Sequence, residues 1–189
     1  MKRRTYRTAC SLWGATVVFY LFSAVSIVIG AEQGASADNQ VSQWERAAVN
    51  YEWAAMARQD AAQAMLSQSK LLREAPYDTE KEHRKNMLYA AAKDSRSADL
   101  ESAAGSSYDH AADNWLKVSK RGKNKDDSSD VGSRNMARFA KQKATIAYQR
   151  AAELYELAAQ AYFDSGEPLK QAALSQKAAR MREKLAMRQ

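Results

Sequence analysis

The chain has 189 residues, 46% of them hydrophobic and 27% charged, with seven glycines, two prolines and one cysteine. So little glycine and cysteine excludes collagen-like and disulfide-stapled chains, and scarce proline beside abundant alanine favours helices over strands and turns. The formal charge of +7 splits into four basic groups against Glu32 over residues 1–37 and 25 basic against 21 acidic groups over the rest, which leaves no footprint for nucleic acid.

The first element in chain order is apolar. Lys2, Arg3, Arg4 and Arg7 precede an uncharged run over residues 12–29, a pattern that predicts a hydrophobic N-terminal helix acting as a signal peptide or a signal anchor within a 1–37 targeting segment. Ala35-Ser36-Ala37 before Asp38 has the small-x-small form of a cleavage site, and Ala31 offers a second, so cleaved and retained forms both remain open. A basic flank stays in the cytoplasm, so the remainder is expected outside it: in the secretory pathway, then secreted or held at the cell surface or membrane. Cys10 precedes the run and is an acylation site only if the segment is retained; beyond Ala31 there is neither a cysteine nor an N-x-S/T sequon.

Residues 38–189 read as one helical-bundle domain. A first helix is expected over about residues 39–74, halted where Pro76 disfavours a helical Ala75. A second is expected over about residues 79–119, with a bend or fraying near Gly105, where serines dilute the apolar face. The charged stretch 120–133, reading KRGKNKDDSSDVGS, is taken as a loop. A third helix follows over about residues 134–164 and ends at Ser165-Gly166; Pro168 suits the first turn of a short fourth helix over about 167–187. The expected fold is therefore all-α: an elongated antiparallel bundle of three long helices plus a short C-terminal helix, preceded by the N-terminal hydrophobic helix.

A motif of aromatic, two residues, paired alanines, two residues and a second aromatic recurs along these helices. Its copies span Trp44 to Tyr51, Tyr108 to Trp115, Tyr148 to Tyr155 and Tyr155 to Tyr162. Seven-residue spacing returns each ring to nearly the same helix face, with the alanines on either side of the line joining them. Trp44, Tyr51, Tyr108, Trp115, Tyr148, Tyr155 and Tyr162 are thus expected to form a coiled-coil-like core stripe, in which alanines admit a neighbouring backbone and rings fill the gaps beside them.

Around Ala158-Ala159-Gln160-Ala161-Tyr162-Phe163-Asp164-Ser165-Gly166-Glu167, with Ala172 and Ala178 beyond, the chain resembles a tetratricopeptide-type helical hairpin over residues 148–181. In that family the positions taken here by Tyr162 and Gly166 pack the two helices and turn the chain between them. The resemblance implies a protein-binding scaffold. No second copy recurs at a 34-residue period.

Catalytic and cofactor patterns are missing from the sequence. His83 has the E-x-x-H spacing of di-iron bundles through Glu80, but His110 is preceded three residues back by Ser107, so the second such motif is absent. There is no phosphate-binding glycine loop, no nucleophile elbow and no calcium loop ending in glutamate. No catalytic residue, cofactor or metal ligand is therefore expected. Two basic patches remain as candidate interaction residues: Lys117, Lys120, Arg121, Lys123 and Lys125, and, near the C-terminus, Arg180, Arg182, Lys184 and Arg188.

The expected function is that of a non-enzymatic secreted or membrane-anchored helical scaffold mediating protein–protein interaction at the cell surface. Its partner is a protein, with membrane contact through the N-terminal segment and no nucleic acid. The alternative is a carrier that encloses an apolar ligand between aromatic-lined helices.

Overall fold

The computed structural model describes residues 37–122 and 127–188, and 93% of them are helical, with no strand. Among the described residues four helices follow in order: α1 (Ala37–Glu74), α2 (Glu80–Gly122), α3 (Asp127–Asp164) and α4 (Pro168–Ala186). The apolar run 12–29, with its expected helix, and Lys123 and Lys125 lie outside the described residues. No helix among those described is long and apolar enough to cross a membrane.

Local chemistry sets the helix ends. α1 stops at Glu74, two residues before Pro76. At the start of α2, Thr79 Oγ1 accepts the Glu82 N–H at 3.2 Å while the Glu82 carboxylate accepts the Asp78 N–H at 3.1 Å, a close variant of the capping box. α3 closes on a left-handed glycine: Gly166 has φ +72°, its N–H reaches Phe163 O and the Glu167 N–H reaches Tyr162 O, both at 2.9 Å. These two bonds satisfy terminal carbonyls that the helix itself leaves open. Pro168 then opens α4 with its φ preset and no N–H to satisfy.

Cross-helix bonds give the directions. Trp115 meets Glu52, Gln59 meets Glu101 and Ser97 meets Ala62, so α1 and α2 run antiparallel. Tyr148 meets Asp109 and Tyr155 meets Asp99, so α2 and α3 do as well. α4 returns along α3, pairing Arg182 with Glu156, and lies parallel to α2, pairing Lys177 with Asp99. Among the described residues, extensive packing joins chain neighbours only: α1 with α2, α2 with α3, and α3 with α4.

The main core gathers alanines and tyrosines from α2, α3 and α4. Ala91, Ala98 and Ala104 on α2 meet Ala144, Ala151 and Ala158 on α3, with Tyr108, Tyr148, Tyr155 and Tyr162 buried among them and Leu174, Ala178 and Met181 closing from α4. From α1, only Ala55 joins this cluster.

Two expectations change here. α2 runs through Gly105 without interruption, because the missing side chain is a socket: a Cβ there would sit 2.8 Å from Cε1 of Tyr148. The ring packs on the α2 backbone where a bend was expected. The loop expected over 120–133 is also narrower, since α2 reaches Gly122 and α3 begins at Asp127. Asp130 stabilises that early turn, accepting a 2.6 Å bond from Ser119 Oγ and pairing with Arg134 one turn on; its negative charge also suits a helix N-terminus.

Candidate interaction groove

α4 has 19 residues against 43 in α2 and 38 in α3, so it fills only part of the valley between them. Its last contacts are Arg188 with Asp109 and Lys184 over the Tyr148 ring, 4.7 Å from its centroid. Beyond them opens a cleft of about 1030 Å³. α3 lines it with Arg134, Arg138, Lys141, Thr145 and Tyr148, whose spacing of three and four residues keeps them on one helix face. Asp109, Asp113 and Leu116 line it from α2, again one face, and Met187 stands at the end of α4, 75% exposed.

Its electrostatics are asymmetric. Arg134 is held by Asp130, and Asp109 is engaged by Arg188 and by the Tyr148 hydroxyl, which donates to it at 3.0 Å. Burial, and then the neighbouring Asp109 carboxylate, push the Tyr148 hydroxyl up to about 12, so it stays a donor at physiological pH. Among the described residues Arg138, Lys141 and Lys184 form no ion pair. The groove is therefore a basic surface with a small-residue and aliphatic floor, suited to holding anionic groups.

The two basic patches read from the sequence fare differently. Lys184 and Arg188 line the groove; Lys117, Lys120 and Arg121 do not, and Arg121 stacks on the Trp44 ring at 5.3 Å. Arg182 pairs with Glu156, and Arg180 is exposed. Arg134, Arg138 and Lys141 do not cluster in the sequence; they lie at helical spacing beginning at the edge of the stretch expected to be a loop. Their 134, 138, 141 periodicity was the available signal.

The aromatic stripe also divides. Tyr108, Tyr148, Tyr155 and Tyr162 are buried, Trp44 and Trp115 are half-buried, and Tyr51 is 37% exposed and tilted against His110 at 5.2 Å. The Tyr155 hydroxyl donates to Asp99 at 2.6 Å and the Tyr108 hydroxyl to Gln59 at 3.0 Å.

A second, smaller cleft of about 490 Å³ lies between the start of α2 and the end of α3, lined by His83, Arg84, Met87 and Asp164 among others. Arg84 donates to the carbonyl of Ser165 there, which ties α2 to the Gly166 turn. Among the described residues no group of three His, Cys, Asp or Glu side chains could hold a metal ion. No protein-family model, curated protein or solved structure matches this chain.

Proposed function

We infer that this protein is a non-enzymatic helical scaffold for protein–protein interaction, built as an elongated antiparallel bundle and carried to the cell exterior or its surface by the apolar segment 12–29. The supporting observation is the outward display of large apolar side chains on helices that pack extensively only on their chain neighbours. Trp53 is 68% exposed on α1, and Phe139, Ile146 and Phe163 stand out from α3. Phe139 and Ile146, seven residues apart, share one face of α3, and an exposed apolar stripe of that kind suits contact with another protein. The tetratricopeptide-like hairpin over 148–181 agrees with a binding role.

The carrier alternative requires aromatic rings facing a ligand cavity. Tyr108 and Tyr155 instead have their rings packed on protein and their hydroxyls bonded to Gln59 and Asp99, which favours the scaffold reading.

Photo-crosslinking residues placed at Trp53 and Phe139 of the full-length chain in its native cells test the reading. Discrete polypeptide adducts at both positions, and none at the buried Ala144, are expected. A lipid or other small apolar molecule co-purifying at fixed stoichiometry, with no polypeptide adduct, transfers the function to the carrier.

A further inference from the structure

We propose that the groove beyond α4 is the docking site for an acidic amphipathic helix of a partner protein, seated in the α2–α3 valley as a continuation of α4. The proposal rests on the scaffold reading and gives it a specific surface and partner chemistry.

The geometry comes from α4 itself. It lies in the valley, buries Leu174, Ala178 and Met181, and advances from Asp99 to Asp109 along α2 while moving from Glu156 to Tyr148 along α3. Past Asp109, α2 continues to Gly122, about 20 Å at 1.5 Å per residue. α3 flanks that stretch, and Ala111 and Ala112 close on Ala140 beneath it as a separate small core. The same two helices that cradle α4 therefore continue side by side past its end, and their valley has the shape for a further helix of some four turns.

Charge selects the kind of helix. In the occupied stretch the α3 rim is acidic at Glu156 and α4 answers with Arg182. In the open stretch the α3 rim becomes basic at Arg138 and Lys141, with Lys184 at the junction. The rim has inverted, so its occupant must invert too. Carboxylates three or four residues apart on a helix match the spacing of Arg134, Arg138 and Lys141. The α2 rim keeps Asp113, so the carboxylates belong on the α3-facing side of the occupant and a cation remains compatible with the other.

The test uses the full-length chain in nonionic detergent and, as probe, a fluorescein-labelled copy of residues 168–186 in which the equivalents of Lys177, Arg180 and Lys184, spaced three and four residues apart, are replaced by glutamate. Anisotropy should show saturable binding that weakens at least tenfold in the Arg138→Glu/Lys141→Glu variant and with added salt. Both residues are exposed, so the variant keeps its fold. Arg180→Glu, outside the groove, should leave binding unchanged, and the unaltered 168–186 peptide should bind at least tenfold more weakly than the probe. Equal binding by the two peptides, or indifference to the double variant, overturns the proposal. Vesicles of phosphatidylglycerol that bind through Arg138 and Lys141 while the probe does not would overturn it in favour of a lipid surface.

A photo-crosslinker at Gln142, inside the groove, separates this proposal from the scaffold reading. A polypeptide adduct there, abolished by Arg138→Glu/Lys141→Glu, supports docking. Adducts from Trp53 and Phe139 without one from Gln142 leave a scaffold and remove the groove; no polypeptide adduct from any position removes both.

Discussion

Two adjacent rows of small residues run along α2 at seven-residue spacing: Ala90, Ser97, Ala104 and Ala111 in one, Ala91, Ala98, Gly105 and Ala112 in the other. At Ala90 and Ser97 the first row meets α1, where the Ser97 hydroxyl donates to Ala62 O and that of Ser69 to Ala90 O; the second receives the Tyr148 ring of α3 at Gly105. α1 answers with a row of its own, Ala48, Ala55, Ala62 and Ser69, all fully buried. Small side chains thus bring helices together on both sides of α2. What flanks the rows differs. Toward α3 and α4 the flanks are tyrosine rings joined in one apolar cluster, whereas toward α1 they are polar: Arg73 with Asp94, Gln59 with Glu101, Glu52 with Trp115, Arg58 with Ser107. Buried apolar area stabilises directly, while a buried polar bond largely replaces one to water. The lesson is that a similar alanine spacing supports a core on one side and a register-setting seam on the other, and α1 should open first.

The largest expected effect lies in the core. Tyr155→Ala removes a buried ring and should lower the stability of the whole bundle by about 3–5 kcal/mol in urea titration. A loss near zero would mean that the rings contribute little and would erase the contrast between the two sides.

On the seam, Arg73→Ala strands Asp94, which is fully buried and already has one carboxylate oxygen without a hydrogen-bond partner. A cost of about 3 kcal/mol is expected, confined to α1. Amide exchange should therefore accelerate in α1 while α3 stays protected, and Arg73→Ala/Asp94→Ala should recover part of the loss. Acceleration throughout all four helices would show that α1 belongs to the core after all.

Gly105→Ala sharpens the contrast at a single site. Its Cβ would collide with a ring held by both packing and Asp109, so a net loss of about 1–3 kcal/mol is expected despite the better helix former. Gly132, with nothing within 4 Å of a built Cβ, should respond in the opposite direction, gaining up to about 1 kcal/mol as alanine. Thermal melts of the pair check the signs.

The smallest effects are those of pH. Burial raises the Glu101 carboxyl above its ordinary value of 4.5, opposed by the Gln59 bond and by Arg150. The folded state therefore holds this proton more tightly than the unfolded chain does, and stability falls as pH rises from about 4.5 through the raised value. Glu101→Gln should remove that fall, matching the parent at pH 4 and exceeding it at pH 7 in urea midpoint. In the core, the same sign applies to Tyr148 between pH 10 and about 12, so alkaline destabilisation should shrink in Tyr148→Phe.

Much of the fold was legible from local signals. Pro76, Gly166 and Pro168 mark helix ends because their backbone chemistry acts within one turn. Gly105 misled because helix propensity alone counts a glycine as weakness, and the Tyr148 ring that needs the space is 43 positions away. Asp130 falls within the stretch expected to be a loop; its partner Ser119 lies on the preceding helix, and only the closed hairpin buries both. Tyr51 shares the heptad spacing of Tyr148 and Tyr155, yet among the described residues α1 packs extensively on α2 alone and the ring remains partly exposed.

Periodicity in this chain determined that helices form and which residues share a face, since both follow from 3.6 residues per turn and the identity of nearby side chains. Tertiary structure decided which faces are covered, that Arg134, Arg138, Lys141, Lys184 and Arg188 share one groove, and that α4 ends before filling the valley. Those outcomes depend on where separate helices stop relative to one another, and such offsets are set by packing across distances that no local spacing encodes.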